Sequence, residues 1–290
     1  KQFKNIRKGI NNMQKVLVTG GAGFIGTNLI KRLMAEGHDV SSLDNYSTGK
    51  RENEQQGCNY ITGDITNKNL MLEGYDIIFH LAALARIQPS LKRPLDCINA
   101  NVNGTLHILE LARKHSIPVV YAGSSSVHHG LYGSPYAWSK FAGEQLCELY
   151  SKVYGLSTAI CRFYNVYGPH QLEEGDYATV LGIFQKQLRN NEPLTITGDG
   201  EQRRDFTHVD DIVDGLYKCM GKDLRADIFE LGRGKNFSIN EIVDLFETER
   251  KYIPARKGEY PTTLCDTSLA KETLRWEANK NLEDYIKGRK

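Results

Sequence analysis

The stretch VTGGAGFIG, residues 18–26, follows a short run of apolar residues and precedes a pattern typical of a helix. Glycines at such a strand-to-helix turn let the main chain approach a pyrophosphate, and the first N–H groups of the helix hydrogen-bond to it. Gly20, Gly23 and Gly26 therefore predict a dinucleotide-binding loop. Because tight turns also favour glycine, the prediction depends on what surrounds the loop.

A carboxylate follows at the distance that a dinucleotide site requires. Asp44 ends the next predicted strand, about 20 residues beyond the loop. A carboxylate at this position binds the adenosine ribose hydroxyls and repels a 2′-phosphate. The sequence therefore predicts NAD, rather than NADP, as the cofactor.

Short β-branched runs alternate with longer helical patterns through the first half of the chain. The predicted strands cover residues 16–19, 39–43, 76–80, 119–122 and 157–162, and the predicted helices cover residues 24–36, 95–115 and 136–154. Alternation of this kind predicts an α/β fold, a doubly wound parallel sheet of the Rossmann type.

The second half of the chain has shorter elements and predicts a smaller α/β lobe that binds the substrate. We expect the nucleotide-binding domain to comprise residues 13–165, with a return segment at about 203–232. The smaller lobe then comprises residues 166–202 and 233–290. We interpret residues 1–12 as a flexible arm or an added segment, because Met13 has the position of a natural start.

The composition excludes several classes of protein. The chain has 290 residues and a formal net charge of +2, so no basic excess points to nucleic acid or to an anionic membrane. No apolar run approaches the roughly 20 residues of a membrane span. The six cysteines are scattered without a zinc-ligand spacing, which indicates reduced thiols in a cytoplasmic protein and predicts no metal site.

The stretch YGSPYAWSK, residues 132–140, combines a helix start with two reactive side chains. Ser134 is a candidate N-cap and Pro135 suits the first helical position. Tyr136 and Lys140 then lie four residues apart, on one face of the helix. An ammonium beside a phenol stabilises the phenolate, so the tyrosine could act as a base near neutral pH. The alternative is an ordinary amphipathic helix with a surface lysine.

Several short motifs occur together along the chain. They are TGGAGFIG (19–26), HLAA (80–83), NVNGT (101–105), SSS (124–126), YAWSK (136–140), RFYNVYGP (162–169), GDGEQRRDFTHVDD (198–211) and RKGEYP (256–261). With this set the sequence resembles the extended short-chain dehydrogenase/reductases, and among them the nucleotide-sugar epimerase/dehydratase family, from about residue 15 to residue 285. The resemblance implies a Rossmann fold, an NAD cofactor and a nucleoside diphosphate sugar as substrate.

The resemblance also implies catalytic roles. Tyr136 would exchange the proton of a sugar hydroxyl, and Lys140 would hold the nicotinamide ribose. Counting back five residues from Gly130 aligns Ser125 with the serine or threonine of the family that binds this hydroxyl. The two flanking serines then cap or turn the end of the strand.

Further cofactor contacts follow from positions that match the family. They are Phe24, Ile25, Asn45, Asp64, Ile65, Leu81, Ala82, Ala83 and Asn101. Asn101 also suits a structural role, because an asparagine there can tie the strand to its helix.

For the substrate, the resemblance implies a UDP-sugar that is held by its diphosphate. Arg204 and Arg256 match the diphosphate-binding arginines, whose planar guanidinium groups suit paired phosphate oxygens. Asn165 matches an asparagine at the same pyrophosphate, and Glu259 matches an acid beside the nucleotide ribose or the sugar. Thr263 matches the position that borders the C2 substituent of the sugar. Its small side chain predicts that N-acetylated sugars fit alongside glucose and galactose.

The reaction is inferred from what the SSS segment lacks. Dehydratases and decarboxylases that resemble this chain carry carboxylates where it has Ser126 and Val127. Their absence favours NAD-dependent 4-epimerisation through a transient 4-keto sugar. The open alternatives are a 4-keto-sugar reductase and a non-catalytic nucleotide-sugar-binding protein.

Two further expectations concern the surroundings of the site. Residues 131–135 alone separate Gly130 from Tyr136, where relatives carry a longer insertion, and two histidines at 128–129 replace a Val-Tyr pair.

The helical patterns at 95–115 and 136–154 carry apolar residues that relatives pair in a four-helix bundle, which predicts a homodimer. These residues include Leu106, Leu109, Phe141, Leu146, Leu149 and Val153.

Overall fold

The computed structural model describes residues 13–128, 130–258 and 260–288, so the expectation for residues 1–12 lies outside the described residues. The strands are β1 (Lys15–Thr19), β2 (Asp39–Asp44), β3 (Asn59–Thr62), β4 (Ile77–His80), β5 (Val119–Ser124), β6 (Thr158–Phe163), β7 (Val166–Tyr167), β8 (Leu194–Thr197), β9 (Arg203–Asp205), β10 (Thr207–His208), β11 (Arg225–Leu231), β12 (Asn236–Ser238) and β13 (Arg250–Ile253). The helices are α1 (Phe24–Ala35), α2 (Ile87–Lys92), α3 (Pro94–Ile98), α4 (Gly104–His115), α5 (Pro135–Tyr154), α6 (Val180–Arg189), α7 (Val209–Tyr217), α8 (Ile239–Phe246), α9 (Ser268–Leu274) and α10 (Leu282–Lys287).

A seven-stranded sheet in the order β11-β6-β5-β4-β1-β2-β3 forms the centre of the fold. Every neighbouring pair in it is parallel, which confirms the predicted doubly wound α/β fold. The strand order reverses between β1 and β4, and ligands of such sheets bind outside the carboxyl ends of the strands at this point. The loop after β1 and the residues after β4 therefore share one crevice.

Helices cover both faces of this sheet, which explains the continuous apolar runs of its strands. Val16, Leu17 and Val18 of β1 are fully buried. On one face, α1 and α7 pack through residues such as Leu29. On the other face, α4 and α5 pack through residues such as Ile108. The sheet is thereby a rigid base for the loops at its carboxyl edge.

The predicted helix over residues 95–115 is helical throughout in the structure, but it contains one irregular turn. A π-helical turn at Asn99–Asn103 separates α3 from α4. The NVNG segment favours this irregular turn, because asparagine and glycine are weak helix formers. Gly104 also packs closely on Ile65, where a Cβ would lie 2.5 Å from the Ile65 side chain. The turn brings Asn101 inward, toward the end of β4.

The smaller lobe has its own core, formed by residues such as Phe184, Ile196 and Phe246. Its outer helix α10 belongs to this core, but α9 does not. Leu274 and the fully buried Trp276 pack with the sheet, and the Trp276 Nε1–H donates to the Asp211 carbonyl oxygen at 2.8 Å. Helix α9 and Trp276 thus pack on the core of the first lobe, whereas α10 packs in the core of the smaller lobe.

Within the described ranges, each helix is too short or too polar to cross a membrane.

Candidate active site

Two adjoining cavities open at the carboxyl edge of the sheet. The first, the cofactor cavity, has a volume of about 480 Å³ and begins at the glycine-rich loop. The second, the sugar-nucleotide cavity, has a volume of about 380 Å³ and lies between the two lobes. Both are lined by Tyr136, Arg86 and Phe163, which therefore mark their junction.

The glycine-rich loop is packed so closely that side chains would not fit. Gly20 has a φ of +73°, which favours glycine. A Cβ on Gly26 would overlap the carbonyl oxygen of Gly20 and lie 2.7 Å from the Gly21 Cα. Helix α1 begins at Phe24, directly after the loop, so its first N–H groups are available to a pyrophosphate. This loop has the geometry that a dinucleotide such as NAD requires.

The carboxylates at the adenosine end are held in place by local hydrogen bonds. Asp44 Oδ2 accepts from the Ala22 N–H at 3.0 Å and Oδ1 accepts from the Tyr46 N–H at 2.8 Å. Asp64 accepts a 2.8 Å hydrogen bond from the side chain of Asn45. Burial raises the pKa of Asp64, but hydrogen bonds from Thr66 and Asn45 outweigh it and keep the pKa below its ordinary value.

The structure brings nearly all of the predicted cofactor residues to this cavity. Its lining includes Gly20, Gly23, Phe24, Ile25, Gly26, Asp44, Asn45, Asp64, Ile65, Leu81, Ala82, Ala83, Tyr136 and Lys140.

Asn101 is the exception, because its side chain is buried behind the wall. Its Oδ1 accepts from the Leu84 N–H at 2.8 Å, and its Nδ2 donates to the Leu84 carbonyl oxygen at 3.1 Å and to Ser139 Oγ at 2.9 Å. Of the two roles considered for Asn101, a cofactor contact and a structural tie, the geometry supports the structural tie. Asn101 ties the segment after β4 to helix α5.

Helix α5 begins as the sequence predicts. The Ser134 hydroxyl oxygen accepts from the Ala137 N–H at 3.1 Å, and Pro135 takes the first helical position. One turn later the side chain of Lys140 is buried, with Nζ 4.3 Å from the centroid of the Tyr121 ring. Burial lowers the pKa of Lys140 to about 8, although the negative charge of Glu144 acts in the opposite direction.

The Tyr136 hydroxyl contacts Ser124, and the predicted Ser125 lines the sugar-nucleotide cavity beside it. The Tyr136 hydroxyl donates to Ser124 Oγ at 3.3 Å. Ser124 ends β5, whereas Ser125 begins the 3-10 turn that follows and has no hydrogen bond to the tyrosine. Both serines therefore lie at the sugar-nucleotide cavity, and Ser124 is the one hydrogen-bonded to the tyrosine.

The surroundings of Tyr136 contain a cation that the sequence analysis missed. Burial raises the pKa of Tyr136, and the hydrogen bond with Ser124 and the positive charge of Arg86 oppose this rise. Arg86 comes shortly after β4 and donates from Nε to the Tyr177 carbonyl oxygen at 3.2 Å. The position of Arg86 shortly after β4 could have predicted this role, since residues at the carboxyl ends of parallel strands converge on the site.

The sugar-nucleotide cavity contains the predicted diphosphate ligands. Asn165, Arg204 and Arg256 line it, and the Arg204 guanidinium lies 5.0 Å from the centroid of the Tyr260 ring. Glu259, which the sequence analysis also assigned to the substrate, lies outside the described residues. Two arginines on one wall suit a pyrophosphate.

Thr263 does not border the cavity, which corrects its predicted role at the sugar. The residue is fully buried. Its hydroxyl oxygen accepts from the Asp205 N–H at 3.1 Å and from Asn165 Nδ2 at 3.4 Å. Thr263 therefore supports the wall from behind, and its size does not set the room for a C2 substituent.

The short loop before α5 meets the smaller lobe at Gly133, while Tyr132 is 86% exposed. Gly133 N–H donates to the Gly130 carbonyl oxygen at 2.7 Å, which closes a tight turn. A Cβ on Gly258 would lie 3.4 Å from the Gly133 carbonyl oxygen, and Gln88 Nε2 donates to the Lys257 carbonyl oxygen at 2.7 Å. His128 pairs with Glu230 at 2.7 Å, while His129 lies outside the described residues.

In the described part of the chain, no group of three or more His, Cys, Asp or Glu side chains is placed to hold a metal ion.

Comparison with known proteins identifies the family. A family model described as the NAD dependent epimerase/dehydratase family matches residues 16–232. The putative UDP-glucose 4-epimerase of Methanocaldococcus jannaschii is 33% identical over 296 residues, covering 94% of this chain and 96% of the relative.

Solved structures agree in fold. The UDP-glucose 4-epimerase of Thermotoga maritima, solved with UDP-glucose, has a TM-score of 0.89 and 31% identity, covering 94% of this chain and 96% of that chain. The UDP-glucuronic acid 4-epimerase of Bacillus cereus, solved with UDP-glucuronic acid and NAD, has a TM-score of 0.87 and 28% identity, covering 95% and 97%. NAD is thus a cofactor of this fold, and the first cavity has the residues to bind it. The chain belongs to the NAD dependent epimerase/dehydratase family of extended short-chain dehydrogenase/reductases.

Proposed function

We propose that this chain catalyses the NAD-dependent 4-epimerisation of a UDP-sugar. One observation carries the proposal. Tyr136, hydrogen-bonded to Ser124 at 3.3 Å, lies at the junction of a dinucleotide cavity and a second cavity that two arginines line. A sugar whose diphosphate is bound by Arg204 and Arg256 extends from those arginines toward this tyrosine.

The side chains at the junction account for the proton transfers. Tyr136 takes the proton of the sugar's 4-hydroxyl, and Ser124 holds that hydroxyl in line with it. NAD, when bound, accepts the hydride from C4 and returns it, so the cofactor ends each cycle in its starting form. The sugar, oxidised to a ketone, turns within the cavity, takes the hydride on its other face and recovers its proton from Tyr136. The buried ammonium of Lys140 stabilises the tyrosine while it is deprotonated.

Elimination of water from the sugar needs an additional acid and base. The carboxylates near the site are engaged in ion pairs, which disfavours this reaction. Among the described residues of the sugar-nucleotide cavity wall, the carboxylate is that of Asp176, and it pairs with Lys92 at 3.6 Å. Ser126 and Val127 provide none. Glu144 is buried and bound by Arg162 at 2.7 Å, so it is engaged in an ion pair. Oxidation at C4 and its reversal is the chemistry that the remaining groups support.

The nearest rival is a reductase of 4-keto sugars, which must release and rebind the cofactor. A further rival is a protein that binds the nucleotide sugar without turnover, because a fold alone does not establish a reaction. Purified protein should retain bound nucleotide, seen in its absorbance, and should convert UDP-glucose to UDP-galactose without added NADH. A requirement for added NADH would indicate the reductase, and bound sugar without product would indicate the binding protein.

Glucose, galactose and their N-acetylated forms are neutral candidates for the sugar. The proposal that N-acetylated sugars fit no longer rests on Thr263, since this residue lies behind the wall. UDP-GlcNAc and UDP-GalNAc therefore belong in the same assay as the plain hexoses.

We also propose a homodimer through the outer faces of α4 and α5. Leu149 and Val153 of α5 are 48% and 60% exposed, and Leu106 of α4 is 36% exposed. Leu109 is fully buried, so it belongs to the core of the subunit. Light scattering at micromolar concentration should give about twice the 32.7 kDa of one chain. A particle of one chain's mass would contradict the dimer.

A further inference from the structure

Arg86 lies at the end of the sugar-nucleotide cavity where the sugar reacts. It lines both cavities together with Tyr136, whereas Arg204 and Arg256 line the second cavity and not the first. The two diphosphate-binding arginines and Arg86 thus occupy different parts of the substrate path. A sugar that presents C4 to Tyr136 therefore lies in the part of the cavity that Arg86 also lines.

The charge of Arg86 is not neutralised by a nearby carboxylate in the described part of the chain. One of its five N–H groups donates to the Tyr177 carbonyl oxygen at 3.2 Å, which fixes the guanidinium without neutralising it. Asp176, the acid of the neighbouring wall, pairs with Lys92 instead. The Arg86 side chain is partly buried. A guanidinium that is partly withdrawn from water without a counter-ion is stabilised most by an anion on the ligand.

We propose that Arg86 binds a carboxylate on the sugar ring, so that the preferred substrates are UDP-hexuronic acids. The inference rests on the proposed function, because it assumes that a UDP-sugar presents C4 to Tyr136. In a hexuronic acid the carboxylate carbon is bonded to C5, the neighbour of C4. A cation beside the group that acts on C4 is therefore within reach of this carboxylate. The planar guanidinium can hold both carboxylate oxygens at once.

The test is the binding of two ligands that differ at C6, measured by calorimetry. Wild type, Arg86→Gln and Arg86→Lys are titrated with UDP-glucuronic acid and with UDP-glucose. The matched control is Arg225→Gln, which removes an exposed arginine that pairs with Asp223. A hydrogen-bonded charge pair is worth roughly 10- to 100-fold in affinity. We expect Arg86→Gln to lose this factor for UDP-glucuronic acid and to bind UDP-glucose almost unchanged.

Arg86→Lys and the comparison of the two ligands separate carboxylate binding from other roles of Arg86. Arg86→Lys keeps the charge but not the paired N–H groups, so it should retain part of the preference for UDP-glucuronic acid. Equal losses on both ligands would overturn the proposal, because Arg86 would then serve the shared diphosphate or Tyr136. A misfolded variant would also lose affinity for UDP alone, which Arg86→Gln should keep.

The measurement is independent of turnover. If the selective loss is found but no epimer forms from either sugar, the role of Arg86 holds and the proposed function fails. If epimers form and the losses are equal, the proposed function holds and the role of Arg86 fails.

Discussion

The hydroxyl of Tyr136 donates a hydrogen bond to Ser124 Oγ at 3.3 Å. From this pair we propose that Ser124 shares a substrate hydroxyl with the tyrosine. Ser124→Ala should therefore lower kcat by on the order of 10²-fold, as the loss of one well-placed donor does. Ser125→Ala, its neighbour and matched control, should lower kcat by less than about tenfold. A larger loss with Ser125→Ala would return the catalytic role to that residue.

Burying the ammonium of Lys140 beside the active site lowers the stability of the folded protein. Its pKa is lowered from 10.5 to about 8 by burial, so the unfolded chain binds the proton more tightly and stability rises with pH between about 8 and 10.5. Lys140→Met should therefore raise the free energy of unfolding at pH 7 by up to about 3 kcal/mol while abolishing activity. The gain should vanish as the pH approaches 10.5.

Urea denaturation at several pH values measures this effect. Lys152→Met, on the exposed face of the same helix, should change stability by no more than about 0.5 kcal/mol at either pH. A Lys140→Met variant that is less stable than wild type at pH 7 would contradict the account.

A side chain added to the glycine-rich loop should remove the cofactor without unfolding the protein. An alanine Cβ at position 26 would overlap the Gly20 carbonyl oxygen, so the loop must open and its N–H groups must move. Gly26→Ala should be purified with little or no bound NAD, measured by chromatography of the nucleotide released on denaturation. Gly288→Ala is the control, since its Cβ would meet nothing closer than 3.3 Å. Full NAD content in Gly26→Ala would contradict the assignment of the cofactor cavity.

Thr263 should affect stability rather than substrate choice. Thr263→Val leaves the buried Asp205 N–H without its acceptor, and such a loss typically costs about 1–3 kcal/mol. Thr263→Ser keeps the hydroxyl and should cost less. The ratio of kcat/KM for UDP-GlcNAc and UDP-glucose should be the same in both variants as in wild type. A change in that ratio would place Thr263 at the sugar after all.

The parts of the site that the sequence predicted well are those held together by local spacing. The loop glycines, Asp44 and the pair Tyr136 and Lys140 each lie within one strand-to-helix unit, so the spacing along the chain determines their positions. The parallel sheet followed from the alternation of strands and helices for the same reason.

The parts that failed depend on the direction of side chains and on distant packing. Alignment placed Thr263 beside the sugar, but which way the side chain points is decided by its partners Asp205 and Asn165. Arg86 belongs to no spaced motif, and its neighbour Tyr136 is distant in the sequence. The helix over 95–115 contains a π-helical turn at Asn99–Asn103, which no apolar periodicity reveals.

The fate of the hydrogen on C4 tests the central claim most directly. The account has this hydrogen leave as hydride and return to the same carbon, with only the hydroxyl proton passing through Tyr136. In D₂O without added NADH, the epimer of a UDP-sugar should therefore form with protium retained at C4, as proton NMR and mass spectrometry would show. Deuterium at C4, or an epimer that forms equally fast with Tyr136→Phe, would contradict it.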